Sequence, residues 1–192
     1  TNATSYKESK GAFNLADGSP VTIEDPVTGA EVPWRFVRAY GCNTAVASEH
    51  LLTFRSGAAG FYDLASHSGT GNFGGFKSGC SSNLIIANGV LSAPDYTRTC
   101  TCAYQNQTSL ALVPMPGNEV WTYNLFGQPA AARSEVRRIG INLAAPGDRL
   151  GDDGTLWINH PADEGTSPQV PVEIEGDSKP FRGHSARIAG DL

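Results

Sequence analysis

The sequence predicts an all-β protein made of antiparallel meanders, followed by an irregular, loop-rich C-terminal segment. Three observations carry this reading. Of 192 residues, 22 are Gly and 12 are Pro, which cost roughly 1 and 3 kcal/mol in a helix interior relative to Ala. They recur every few positions and leave almost no uninterrupted window of about 12 residues in which a helix could propagate. Short apolar runs alternate with Asp-Gly, Ser-Gly and Asn-Gly pairs, the punctuation of hairpins. Charged residues make up only 17% of the chain and Met occurs once, so the residues that build long helices are scarce.

In chain order, Gly11-Ala-Phe-Asn-Leu15 leads into Asp17-Gly18 and out through Val21-Thr-Ile23. Asp-Gly there supplies the positive φ angles of a type I′ turn. After Cys42, Thr44-Ala-Val-Ala47 turns at Glu49-His50 into Leu51-Leu-Thr-Phe-Arg55. A turn at Ser56-Gly57 then leads to Ala59-Gly-Phe-Tyr-Asp-Leu64, which makes a three-stranded meander. Leu84-Ile-Ile-Ala87, the Asn88-Gly89 turn and Val90-Leu-Ser-Ala93 repeat the theme, and Ser109 to Val113 and Glu119 to Tyr123 close it. The region 11–125 is thus a blade-like β-meander region.

Residues 126–192 differ: Pro and Ala accumulate at 128–132, and a basic stretch follows at Arg133 to Arg138. Ser134 to Arg138 can form one helical turn. Thr155 to Ile158 and Val170 to Ile174 are strand candidates, the second limited to an edge or bulge by Pro171. The segment holds too few apolar residues to fold alone and reads as an appendage packed on the meanders or the start of a second β module.

Fourteen Lys and Arg stand against 19 Asp and Glu, a net charge of −5, which argues against nucleic acid as a partner. No apolar run is long enough for a transmembrane segment, and residues 1–5 lack the apolar core of a signal peptide. The four cysteines, Cys42, Cys80, Cys100 and Cys102, are even in number with no His at ligand spacing, which favours disulfides over zinc. A Cys-x-Cys pair closes on itself only in a strained ring, so Cys100 and Cys102 are each expected to bond Cys42 or Cys80, in either combination. Disulfides place the chain in the periplasm, on a cell surface or in a secreted form.

A family resemblance emerges from longer stretches. Tyr40-Gly-Cys-Asn43, Glu49 to Asp63, Gly74 to Cys80 and Asn88 to Cys102 resemble the last blades of bacterial, planctomycete-type PQQ-binding-like β-propeller repeat proteins. Asp25-Pro-Val-Thr-Gly29 followed by Trp34 resembles the blade-end docking motif of quinoprotein propellers, with one residue more between Gly29 and Trp34. Arg138-Ile-Gly-Ile-Asn142 with Gly154-Thr-Leu-Trp157 is similar to the beginning of a malectin-like module. The resemblance implies stacked four-stranded blades and, as cofactors, calcium or PQQ. Three blades do not close a ring, so the strands are expected to be completed by the rest of a longer polypeptide, by other protein chains or by the C-terminal segment.

Chemistry-bearing motifs are few. Gly69-Thr-Gly-Asn-Phe-Gly74 spells a dinucleotide fingerprint, yet no helix can start within it, and it reads as a glycine-rich loop between strands. His50, His67, His160 and His184 accompany no nucleophile elbow, so no catalytic residue is assigned. Asp148, Asp152 and Asp153 could gather oxygens around calcium. Tyr96, Arg98 and Tyr104 flank the Cys-Thr-Cys segment and, with Phe76, could face a ligand such as a sugar. Asn2 and Asn106 open glycosylation sequons.

The leading expectation is a non-catalytic extracytoplasmic binding or assembly module for a partner chain or a carbohydrate. The alternatives are part of a PQQ-dependent quinoprotein-type oxidoreductase, which the resemblance implies, and a structural protein of a bacterial surface assembly.

Overall fold

Asp25 organises the first hairpin: its Oδ1 accepts hydrogen bonds from the backbone N–H of Val27 (3.0 Å) and Thr28 (2.8 Å) and from Thr28 Oγ1 (3.0 Å). Gly29, at φ 72°, takes the left-handed position that closes the turn. The turn joins strands β1 (Thr22–Glu24) and β2 (Glu31–Pro33). The computed structural model describes residues 11–38, 41, 44–73, 76, 84–94, 109–115, 135–143, 147–160 and 170–177. Among these the chain is all-β, with no helix and twelve strands.

A four-stranded antiparallel meander follows, in the order β3 (Val46–Ala47), β4 (Leu51–Ser56), β5 (Ala58–Asp63), β6 (Thr70–Asn72). The register Leu52↔Tyr62 and Thr53↔Phe61 sorts side chains by face. On one face Leu52, Phe54 and Tyr62 pack with Trp34 and Phe36 in an aromatic core, where Phe36 and Phe54 stack at 4.8 Å and Trp34 meets Tyr62 edge-on at 5.4 Å. On the other face Ala59 joins Leu84, Leu91 and Ala93 in a second core, and Thr53 Oγ1 donates to the Leu84 carbonyl at 2.6 Å. Cover on both faces leaves β4 buried almost throughout, the polar Thr53, Arg55 and Ser56 included.

The second core is roofed by a three-stranded antiparallel meander, β7 (Ile85–Ala87), β8 (Val90–Ala93) and β9 (Leu110–Leu112). The turn between β7 and β8 has Asn88 at φ 50° and Gly89 at φ 75°, the pair of positive angles a type I′ turn requires. In the C-terminal part, β10 (Gly140–Leu143), β11 (Arg149–Leu150) and β12 (Leu156–His160) form a sheet in the order β10-β12-β11. The β10–β12 pair is parallel, unlike every other pair among the described residues. A third core lies under this sheet, and Val27, from the β1–β2 turn, is buried in it with Leu156 and Ile158.

Several local expectations are corrected. Asp17-Gly18 does not make a type I′ turn: only Gly18 has a positive φ, at 72°. The Gly18 N–H bonds the Asn14 carbonyl and the Asn14 N–H bonds the Ser19 carbonyl, which closes a longer loop. Asp17 selects that loop by accepting from both the N–H and the hydroxyl of Ser19. The glycine-rich stretch at 69–74 is not all loop, since Thr70–Asn72 is an edge strand of the meander. Val170–Ile174 joins no strand ladder, and residues 135–138 form no helical turn. The 126–192 region is more regular than its composition suggests, because three strands and a buried valine from elsewhere supply its core. The Glu119 to Tyr123 strand lies outside the described residues.

Candidate functional site

The β7–β8–β9 meander has two unlike faces. Period-two alternation turns Ile86, Leu91, Ala93, Leu110 and Leu112 toward the second core. Within the strands the same alternation turns Ile85, Ala87, Val90, Ser92 and Ala111 outward. Ser92 is the lone polar member of that outer set. Ile85 is 51% exposed, and just beyond β9 Val113 is 69% and Met115 70% exposed. A solvated sheet face normally carries polar residues, and a contiguous apolar face of this kind marks an interaction surface. The surplus of alanine, valine and isoleucine in strands that the sequence did identify was the signal for it.

A polar cluster sits where the first core meets solvent. Trp34 Nε1 donates to Tyr62 Oη at 3.0 Å and to His67 Nδ1 at 3.2 Å, and Tyr62 Oη lies 3.0 Å from the same Nδ1. With the indole donating to it, Nδ1 is assigned as an acceptor, so the imidazole carries its proton on Nε2 and the phenol donates to Nδ1. Burial pushes the Tyr62 hydroxyl up to about 12; the hydrogen bond from Trp34 opposes the rise and the Asp63 charge adds to it. His67 is presented by a tight turn in which Asp63 Oδ1 accepts from Ala65 N–H at 2.8 Å, and His67 itself is left-handed at φ 52°. A small cavity beside the cluster, lined in part by Asp25, Val32, Arg35, Tyr62, His67 and Gly69, encloses about 20 Å³, room for one water molecule. The three side chains satisfy one another, which is the geometry of a structural latch. Sequence reading placed His67 in a loop and missed the cluster, since its partners stand 5 and 33 residues away.

The carboxylates considered for calcium are dispersed. Asp148 is buried and its Oδ1 accepts the Asn159 N–H at 3.2 Å, tying the chain before β11 to β12. Asp153 turns both oxygens onto Thr155, bonding its N–H at 2.9 Å and its hydroxyl at 2.7 Å. These bonds, chiefly that from the N–H, hold the Asp153 carboxyl below the usual range, with Arg138 adding to the effect. Asp152 is exposed. Among the described residues, no three His, Cys, Asp or Glu side chains are grouped to hold a metal ion.

Phe76 is half-buried against the second core, and its carbonyl accepts the Ala59 N–H at 2.9 Å. Tyr96, Arg98, Tyr104, His184 and all four cysteines, Cys42, Cys80, Cys100 and Cys102, lie outside the described residues, as do both sequons. His50 is exposed beside Glu49 at 3.9 Å. Among the described residues no helix is long and apolar enough to cross a membrane.

No family model matches the chain. No curated protein matches it, and no solved structure does. The likeness to propeller blades and to a malectin-like module therefore rests on the residues quoted for it.

Proposed function

We propose that the chain is a non-catalytic binding and assembly module that works outside the cytoplasm by stacking its β7–β8–β9 sheet against a sheet of another chain, a second copy included. The observation that carries the reading is the apolar outer face of that sheet, centred on Ile85 and Val90, with Val113 just beyond β9. The inner face of the same sheet already packs on the four-stranded meander, so the mode of association repeats one the molecule uses internally. Blade-like stacking in a propeller has this form, each sheet covered on both faces by neighbours. The even number of cysteines supports an oxidising compartment.

Light scattering over a wide concentration range tests the proposal. The parent chain is expected to exceed the mass of a 20.2 kDa monomer as concentration rises. Ile85→Lys with Val113→Lys, both at exposed positions whose substitution costs the fold about 0.5 kcal/mol or less each, is expected to return it to the monomer. A parent chain that stays monomeric throughout, or a double variant that associates like the parent, overturns the reading.

A further inference from the structure

Asparagine followed by glycine is the pair at which a chain most readily modifies itself, because glycine has no side chain to shield its backbone nitrogen from the carboxamide beside it. Eleven asparagines occur in the sequence, and Asn88 alone precedes glycine. The register Ala87↔Val90 leaves Asn88 and Gly89 as the two residues of the β7–β8 turn, and both are exposed. A Cβ placed on Gly89 would meet nothing within 4 Å. Among the described residues, neither the Asn88 carboxamide nor the Gly89 N–H makes a hydrogen bond. Asn88 also sits at φ 50°, a left-handed backbone that a side chain disfavours, so no bond of its own side chain holds it in the turn.

The two aspartate–glycine pairs show the restraint that Asn88 lacks. Asp17 Oδ1 accepts from the N–H and the hydroxyl of Ser19 at 2.9 and 2.7 Å. Asp153 accepts from the N–H and the hydroxyl of Thr155 at 2.9 and 2.7 Å. These bonds hold both carboxyls below the usual range, and an ionised carboxylate is no electrophile. Asn88 instead carries a neutral carboxamide, with ammonia as its leaving group.

We propose that Asn88-Gly89 is a site of spontaneous covalent modification that switches off the outer face of the β7–β8–β9 sheet. The Gly89 nitrogen attacks Asn88 Cγ; the N–Cγ bond forms, the Cγ–Nδ2 bond breaks, and ammonia leaves with the proton of the Gly89 amide. Water then adds to one carbonyl of the succinimide and breaks its bond to the Gly89 nitrogen. Opening at Cγ leaves aspartate, and opening at the main-chain carbonyl leaves isoaspartate, with the chain routed through the former side chain. No oxidant, reductant or cofactor is needed. Either product brings a negative charge to the end of the sheet, beside Ala87 and Val90 of the apolar face. Isoaspartate also adds a methylene to the main chain, which destroys the two-residue turn that pins β7 in register on β8. The switching rests on the reading that this face binds a sheet; the modification itself does not.

Ageing the folded chain in mildly alkaline buffer, with peptide mapping at intervals, tests the modification. The peptide holding Asn88 is expected to gain about 1 Da and to resolve into isoaspartate and aspartate forms, ahead of any peptide holding another asparagine. Asn88→Gly keeps a pair that accepts positive φ at both turn positions; it is expected to lose the conversion and retain the parent's circular dichroism spectrum. The proposal is overturned if Asn88 stays an amide in the folded chain while the same chain unfolded in urea converts it, or if another asparagine of the folded chain converts first. Ion exchange then separates the charged products, and light scattering reads the face. The isoaspartate fraction is expected to stay monomeric at concentrations where the intact fraction associates. Equal association of the two fractions overturns the switch. An intact chain that never associates overturns the sheet-binding reading and the switch with it, while the mass gain still decides the modification.

Discussion

At the scale of single residues, two side chains do more than the sequence around them suggests. The Tyr62 hydroxyl ionises near 10 in an unfolded chain, whereas burial holds its proton up to about 12 in the folded one. Between these values the unfolded state binds fewer protons than the native state, so stability falls as pH rises. Tyr62 therefore contributes a stability fully present below about pH 10 and lost progressively toward pH 12, roughly 2–3 kcal/mol in all. Tyr62→Phe is expected to flatten that alkaline loss in denaturant titrations across the window. At neutral pH it costs only about 1 kcal/mol, because the Trp34 N–H keeps His67 Nδ1 as an acceptor. Asp25 behaves differently, since one oxygen serves three donors around a buried turn. Asp25→Ala leaves those donors without a partner and is expected to lower stability by about 2–3 kcal/mol, with Asn, which keeps an acceptor oxygen, costing roughly half of that. In the sequence Asp25 to Gly29 stands out only as part of a resembled docking motif and not as a turn, although the turn is locally encoded, every partner lying within three residues. The Tyr62 cluster is not legible there, because Trp34 is brought to it by tertiary packing across 28 positions.

At the scale of elements, turns separate what local chemistry decides from what it leaves open. Asn88-Gly89 forms the expected hairpin because both central residues of a two-residue turn need positive φ, and Asn and Gly tolerate it. Asp17-Gly18 is the same pattern with another outcome: the Asp17 carboxylate finds a nearer partner in Ser19 and draws the chain into a longer loop. The strands β4, β5, β7, β8, β9 and β12 were readable from dense apolar runs. β6 was not, because Thr70-Gly-Asn72 carries no apolar pattern and is a strand only by pairing with β5. The parallel β10–β12 pair was equally hidden, for a parallel partner is set by how the intervening chain crosses over. Gly89→Ala puts a Cβ on a left-handed residue with open space around it, so its cost is backbone strain alone, about 1 kcal/mol. Chemical denaturation of the variant measures it, and strain confined to the turn predicts an unchanged m-value.

At the scale of the whole molecule, the N-terminal hairpin is joined to the C-terminal sheet by two links among the described residues. One is the Glu24–Arg137 ion pair at 3.1 Å, with both side chains about two-thirds exposed or more; such pairs contribute about 0–1 kcal/mol and are screened by salt. The other is Val27, buried between Leu156 and Ile158 while its carbonyl accepts the N–H groups of Arg137, at 2.8 Å, and Arg138, at 3.2 Å. Removing two methyl groups from that site leaves a cavity in the smallest of the three cores, at a cost of about 1–3 kcal/mol. Arg137→Gln is therefore expected to shift the unfolding midpoint little and to erase what salt dependence the parent has. Val27→Ala is expected to lower the midpoint clearly and to speed amide hydrogen exchange at Ile141, Ile158 and Asn159 more than at Leu52 or Phe54. That inequality is the decisive readout: the first core keeps its own aromatic cluster without Val27, whereas the C-terminal sheet has few other buried side chains to rest on. Equal acceleration in both regions would mean that the two cores open as one cooperative unit, with Val27 one contact among many in it.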